Sequence, residues 1–336
     1  MRKTVLLLLA LSVPAARADT LLVVNKSDDT VSLLDAKSGR VRGTALVGKG
    51  PHEAEVLADG KTAAVSDYGM QGSPGATITL LDIPKGERIR TISLGEGTKP
   101  HGMDALADGR LLVTAEGTKE LLVVDTRAGR VAARIPTGKE VSHMVAASPD
   151  GKRAFVANIG SGSVTVVDLA EGKAISDIPT GEGAEGIDVT PDGKEAWVTN
   201  RAADTVSVIN TGTLKVAATL PAEAFPIRVK ITPDGKRALV SCARSGDVAV
   251  FDVASRKEVK RIAIDREAVP GAAERLFSTQ FGKSPVPVGL LISPDGKRAW
   301  VASTNADVVS VIDLDTLTVV GRLAAGREPD GLAGRF

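Results

Sequence analysis

The chain has 336 residues, with 42 Lys and Arg against 41 Asp and Glu, three His and a single Cys. That length allows one large domain or two ordinary ones. A net charge of +1 excludes a global field for recruiting nucleic acid or anionic membrane, and one cysteine excludes an internal disulfide framework.

Taken in chain order, residues 1–18 read as a signal peptide. Arg2 and Lys3 form a basic start, Thr4–Val13 is an apolar run too short to span a bilayer comfortably, and Ala16-Arg17-Ala18 is a small-x-small cleavage site before Asp19. No cysteine follows for lipid attachment, and no other segment is long and apolar enough to span, so no membrane insertion is expected. The mature protein is expected to be periplasmic or secreted after cleavage near Ala18-Asp19.

From Asp19 onward one phrase recurs. It reads SPDGKRAFVAN at Ser148–Asn158, TPDGKEAWVTN at Thr190–Asn200, TPDGKRALVSC at Thr232–Cys242 and SPDGKRAWVAS at Ser293–Ser303. The turn glycines Gly109, Gly151, Gly193 and Gly235 are spaced 42 residues apart. Each period carries four short β-branched and apolar runs separated by turn residues, as in GIDVT, EAWVTN, TVSVIN and KVAATL of Glu185–Thr219. A period of roughly 40–45 residues with four strands is that of a propeller blade. We label the strands A to D, with A innermost. Seven B strands are predicted to start at Thr20, Thr62, Arg110, Arg153, Glu195, Arg237 and Arg298. Seven A strands are predicted near Pro51, Pro100, Ser142, Ala184, Pro226, Pro287 and Pro329. The expected architecture is therefore all-β, one seven-bladed propeller over 19–336 built of four-stranded antiparallel blades. Its C-terminal strand (329–336) joins the N-terminal strands (20–47) and closes the ring.

The phrase VSPDGKR-x-(F/Y/W)-V-(T/A)-N, followed by TVSVID- and VVATIPTG-like strands, resembles the YVTN-type β-propeller repeat family over nearly the whole mature chain. That resemblance implies an exported propeller, most often a binding or scaffold protein, and names no substrate. It also leaves open a partner role in periplasmic redox or cofactor metabolism. A fold does not fix a function, so the site must come from particular residues.

All three histidines share one register. Counting back eight residues from each turn glycine gives His52, His101, His143, Glu185, Ile227 and Val288, and the closing strand adds Asp330. Five adjacent blades thus place an imidazole or carboxylate where strand A begins, at one mouth of the channel. Imidazoles and carboxylates ligate borderline divalent metals, with His52, His101 and His143 the candidate ligands, and histidine is also suited to acid–base work. The family repeat often reads Pro-His-Gly-Ile here, so a histidine in this slot is equally a repeat residue that bonds a neighbouring blade.

Two insertions are expected on the same face: a B–C loop over Asp67–Thr77 and a D–A connection over about 264–286. They carry Tyr68, Phe277 and Phe281, with Phe225 nearby, and Leu276, Phe277 and Phe281 form either a lid or a plug. Phe155, Trp197, Phe251 and Trp300 read as core. Glu53, Glu55, Asp104 and Asp188 line one arc of the channel, and Arg228 and Lys230 another. Arg228 is placed either to meet an anionic ligand or to pair across blades. Cys242 reads as a small semi-buried residue. No covalent-haem, phosphate-loop or metalloprotease motif is present, and no catalytic residue is assigned. The reading preferred over an enzyme, with catalysis left open, is a monomeric binding protein which takes a small-molecule ligand or a periplasmic protein at His52, His101, His143, Glu185, Asp330, Arg228, Tyr68, Phe225, Phe277 and Phe281. The alternative is a metal-dependent lyase or hydrolase using the same histidines.

Overall fold

The computed structural model describes residues 19–264 and 278–336. The signal-peptide segment and Leu276 and Phe277 lie outside the described residues. Among those described, seven four-stranded antiparallel sheets follow one another around a ring. We number the blades by their A strands: Pro329–Arg335 (blade 1), Pro51–Val56, Pro100–Ala105, Ser142–Ala147, Ala184–Val189, Pro226–Ile231 and Pro287–Ile292 (blade 7). Each A strand touches the A strand of the next blade, and the strand of blade 1 touches those of blades 2 and 7. No described helix is long and apolar enough to cross a membrane.

The B strands explain why the repeat reads as it does. Thr20–Asn25 is buried along its whole length because a neighbouring blade packs on each of its faces. Leu22 and Val24 meet Ala54, Val65 and Leu81 of blade 2, while Leu21 and Val23 meet Trp300 and Val309 of blade 7. A continuous apolar run suits such a two-sided strand. The outermost D strands, such as Lys215–Pro221, alternate instead between exposed and inward-facing residues, half-buried except for the buried Leu220. Phe155, Trp197, Phe251 and Trp300 are all core.

The Pro-Asp-Gly turn is fixed by short contacts. Asp192 Oδ1 accepts from the Thr190 hydroxyl at 2.8 Å and from the Lys194 amide at 3.1 Å, and Gly193 takes φ 72°. The asparagine that ends the B strand also has a job. Asn200 Nδ2 donates to Thr205 and Ser207 at 3.0 Å, pinning B to C. In blade 2, Asp67 fills that slot and accepts from Thr77 and Thr79. In blade 6, Cys242 fills it, fully buried, with its thiol pushed up to about 12 chiefly by burial. That is a packing role, not a nucleophile's.

The ring closes as the repeat predicts. Thr20–Asn25 pairs antiparallel with Pro329–Arg335, with Leu22 opposite Ala333. The expected B–C loop of blade 2 is a ladder, not a loop. Thr62–Met70 and Ser73–Asp82 stay paired out to Met70↔Ser73, so the insertion rises as a rigid hairpin.

A histidine–carboxylate cluster at the channel mouth

The side chains at the mouth are positioned by hydroxyl-to-carbonyl bonds that run from B strands to the inner strand of the next blade. The Thr114 hydroxyl donates to His143 O at 2.6 Å, Thr199 to Ile227 O at 2.9 Å and Ser241 to Val288 O at 2.8 Å. Each of these bonds runs from one blade's B strand to the second residue of the next blade's A strand. Glycines at the third A position let the strands approach this closely. A Cβ on Gly102 would lie 2.6 Å from His143 O, and one on Gly289 would lie 2.0 Å from Asp330 O.

This scaffold gathers the three imidazoles. His52 and His101 have ring centroids 4.9 Å apart, and His101 and His143 are 3.7 Å apart with a 33° tilt. Tyr68, raised on the blade 2 hairpin, stacks on His52 at 4.1 Å. His52 Nδ1 donates to Gly50 O at 2.9 Å, which fixes its tautomer.

A second ring, not legible as a set in the sequence, comes from the residue one place past the asparagine slot of the B strands. It contributes Lys26, Tyr68, Glu116 and Arg201. Lys26 pairs with Asp330, and Arg201 Nη1 reaches Glu185 Oε2 at 2.9 Å. Glu116 Oε1 lies 2.5 Å from His143 Nδ1, and its Oε2 accepts the Tyr68 hydroxyl at 2.6 Å, with Lys99 Nζ at 3.6 Å. The available signal was position alone: these residues sit one place past the asparagine slot.

Arg228 spans the channel from blade 6. Its guanidinium donates to Glu185 at 3.1 Å and, on the far side, to Glu53 of blade 2 at 2.7 Å. The terminal nitrogens are thus engaged in cross-blade pairing, the second of the two roles open to this residue. Further along the inner strands lie Glu55, Asp104, Asp188 and Lys230, the last open to channel water.

Blades 6 and 7 make the remaining arc apolar. Phe225, Ile227, Ala243, Phe281, Val286 and Val288 form one buried cluster, with Phe225 and Phe281 edge to face at 4.9 Å. The helical turn Ser278–Phe281 therefore packs its phenylalanine down onto Ile227 and Val288. Arg201 and Arg244 lie over the Phe225 ring at 5.5 and 5.1 Å.

The electrostatics divide the histidines. Burial opposes charge on His143, but its contacts with Glu116 and Glu185 outweigh that and raise its pKa above 6.5. His101 is driven well below 6.5 by burial and by its cationic neighbours, and His52 falls to about 3 by burial and Lys26. Burial would raise Glu185, yet His143, Arg201 and Arg228 hold it at about 2. The two carboxylates thus favour the charged form at His143, which stacks on the His101 ring, and that ring in turn meets His52 edge to face. His143 Nε2 and Glu185 Oε1 are 3.4 Å apart, an ion-pair separation without hydrogen-bond geometry, so that nitrogen has no hydrogen-bond partner among the described residues. Neither do His101 Nδ1 and Arg228 Nε.

Solved structures of other proteins share the fold. Hydrazine synthase of Kuenenia stuttgartiensis is 20% identical over 84% of this chain and 89% of that chain, with a TM-score of 0.71. A functionally unknown protein from Desulfotomaculum acetoxidans is 15% identical over 94% of this chain and 98% of that chain, with a TM-score of 0.75. At such identities the likeness is one of fold alone. No curated protein matches the sequence. A family model described as YNCE-like beta-propeller matches residues 99–272, more than half of the chain. With its blades arranged as the repeat requires, this protein belongs to the YNCE-like β-propeller family.

Proposed function

We propose that this propeller is an exported, periplasmic binding protein that holds a small organic anion at the polar side of its channel mouth. The observation that carries the reading is the ordering of charge by exposure. The carboxylates of Glu116, Glu185 and Asp330 are buried, with side-chain exposures of 6%, 5% and 5%. The cations paired with the first two, Lys99 and Arg201, are 37% and 34% exposed. Lys99 lies over the Tyr68 ring at 4.6 Å, and Arg201 lies over Phe225. Water at the mouth therefore meets cations and aromatic faces, while the negative charge is neutralised below. A carboxylate or other oxyanion fits that layer, and the apolar arc around Phe225 offers its carbon skeleton a place to lie.

With three histidines in the whole chain, imidazole nitrogen resonances report on the mouth without ambiguity. Titration with benzoate, succinate and inorganic phosphate is expected to shift His52 and His101 saturably with at least one of them. Lys99→Ala combined with Arg201→Ala should weaken that response about tenfold or more, since charge-assisted hydrogen bonds contribute about 1.5–3 kcal/mol each. If no imidazole responds to any of the three anions, the reading is wrong. Export is tested by fractionation, with a mature N-terminus expected at Asp19.

A further inference from the structure

We infer that His101, His143 and Glu116 together hold a divalent transition-metal ion of the zinc type at the mouth. The inference rests on reading the mouth as the binding site, and it supplies the group on which the anion would rest. All three side chains are buried, and each offers a ligand atom within 4.8 Å of the other two. His101 is 2% exposed, yet among the described residues its Nδ1 has no hydrogen-bond partner. A buried imidazole nitrogen left without a partner is costly unless something missing from the protein atoms satisfies it.

The surroundings have the form that orients metal ligands. A ligating imidazole commonly faces a carboxylate with its other nitrogen, and a ligating carboxylate is itself hydrogen-bonded. Glu185 stands 3.4 Å from His143 Nε2 and is fixed by Arg201 and Arg228. The Tyr68 hydroxyl holds Glu116 Oε2 at 2.6 Å, leaving Oε1 to face His143 Nδ1. Two imidazoles and a carboxylate are the donors that zinc accepts with one position open. Calcium and magnesium call for more oxygen ligands. The set also departs from a three-histidine site: His52 Nδ1 is engaged by Gly50 O and its ring by Tyr68, so Glu116 takes the third place.

Binding is an exchange of one cation for another. A single proton now bridges His143 Nδ1 and Glu116 Oε1 across 2.5 Å. The incoming M²⁺ takes that place, the proton leaves to solvent, and no electrons move. Ligand bonds of about 2.0–2.2 Å require the two atoms to part by somewhat under about 1 Å. Glu116 can swing that far because it lies in the B–C turn just past Arg110–Ala115. Three protein ligands leave a tetrahedral ion a fourth position for an oxyanion.

The test uses the full chain, stripped with chelator and dialysed against Zn²⁺ or Co²⁺. A single ion per chain is expected by elemental analysis, with Co²⁺ absorption of tetrahedral intensity and no competition from Mg²⁺. Glu116→Gln and His101→Asn should each lower Zn²⁺ affinity about 100-fold, and Glu185→Gln, which acts through His143, about tenfold. Melting curves of the metal-free variants separate a lost ligand from a lost fold. Absence of stoichiometric metal from the folded wild type overturns the inference, as does Zn²⁺ binding that survives both Glu116→Gln and His101→Asn. Repeating the anion titration on metal-free protein separates the two ideas. Anion shifts without metal binding leave the binding protein standing and remove the metal. Metal binding without any anion response does the reverse.

Discussion

Glu55 faces the channel with Asp104 and Asp188 nearby and Lys230 as an opposing cation. Burial, followed by repulsion from Asp104, raises its carboxyl to about 8 from an ordinary 4.5. The sign of the consequence follows from linkage: the folded state keeps a proton that the unfolded chain releases. This group's stabilising contribution is complete below about 4.5 and is lost as pH rises through about 8. His52 runs the other way. Its value of about 3 means that stability falls as pH drops from 6.5 toward 3. The wild-type profile mixes both trends, but the difference between wild type and Glu55→Gln isolates the first, because glutamine resembles the protonated acid. The Tm advantage of Glu55→Gln should be larger at pH 8 than at pH 5, by about 2 °C or more. An advantage that is flat with pH, or that shrinks toward pH 8, would show that Glu55 ionises freely in the fold.

Among the elements, the inner strands set the tightest tolerance. A Cβ added at Gly289 would fall 2.0 Å from the Asp330 carbonyl, which is backbone and cannot rotate away. Gly289→Ala should therefore push blade 7 off blade 1 and destabilise by about 1–3 kcal/mol or more. Gly43 lies in the outermost strand of blade 1, where an added Cβ meets nothing within 4 Å. Gly43→Ala should stay within about 0.5 kcal/mol in the same denaturant titration. Equal effects at both sites would refute the close-approach account. These strands were readable in the chain because their constraints repeat: six A strands start where the turn glycines place them, and the seventh, Pro329–Arg335, where alignment of the closing strand puts it. The histidine register was readable for the same reason. The ring around it was not, because Lys26, Tyr68, Glu116 and Arg201 share a position and no residue type. Their partners, Asp330, His52, His143 and Glu185, become neighbours only after folding. The blade 2 hairpin escaped for a different reason. Gly69, Gly72 and Gly75 read as loop residues, yet Gly69 and Gly75 allow close backbone crossing within a paired ladder, with a Cβ on Gly75 falling 1.8 Å from Asp67 O, while Gly72 supplies the left-handed turn at φ 81°.

For the whole molecule, the candidate site depends on closure of the ring. Arg228 of blade 6 reaches Glu53 of blade 2 across the channel, and Lys26, near one end of the described chain, pairs with Asp330, near the other. Asn25 likewise accepts the Gly326 amide at 2.9 Å. These contacts form only when Pro329–Arg335 docks on Thr20–Asn25, a pairing of high sequence separation and correspondingly late reward during folding. Removing residues 329–336 strips Lys26 of its carboxylate and uncovers an apolar strand edge on blade 1. The truncated protein should then unfold at lower temperature, self-associate through that edge and lose the imidazole response to anions. A synthetic peptide of residues 329–336 should restore the melting temperature in a concentration-dependent way, as mass action requires for a ligand of the folded state. Restoration also discriminates the closing strand from mere bulk, because a peptide with Asp330→Asn should dock its backbone but fail to re-pair Lys26. The first peptide should recover both stability and the histidine signals, and the second stability alone. A truncated chain that melts like wild type would mean that six complete blades hold the mouth in place without the seventh's inner strand.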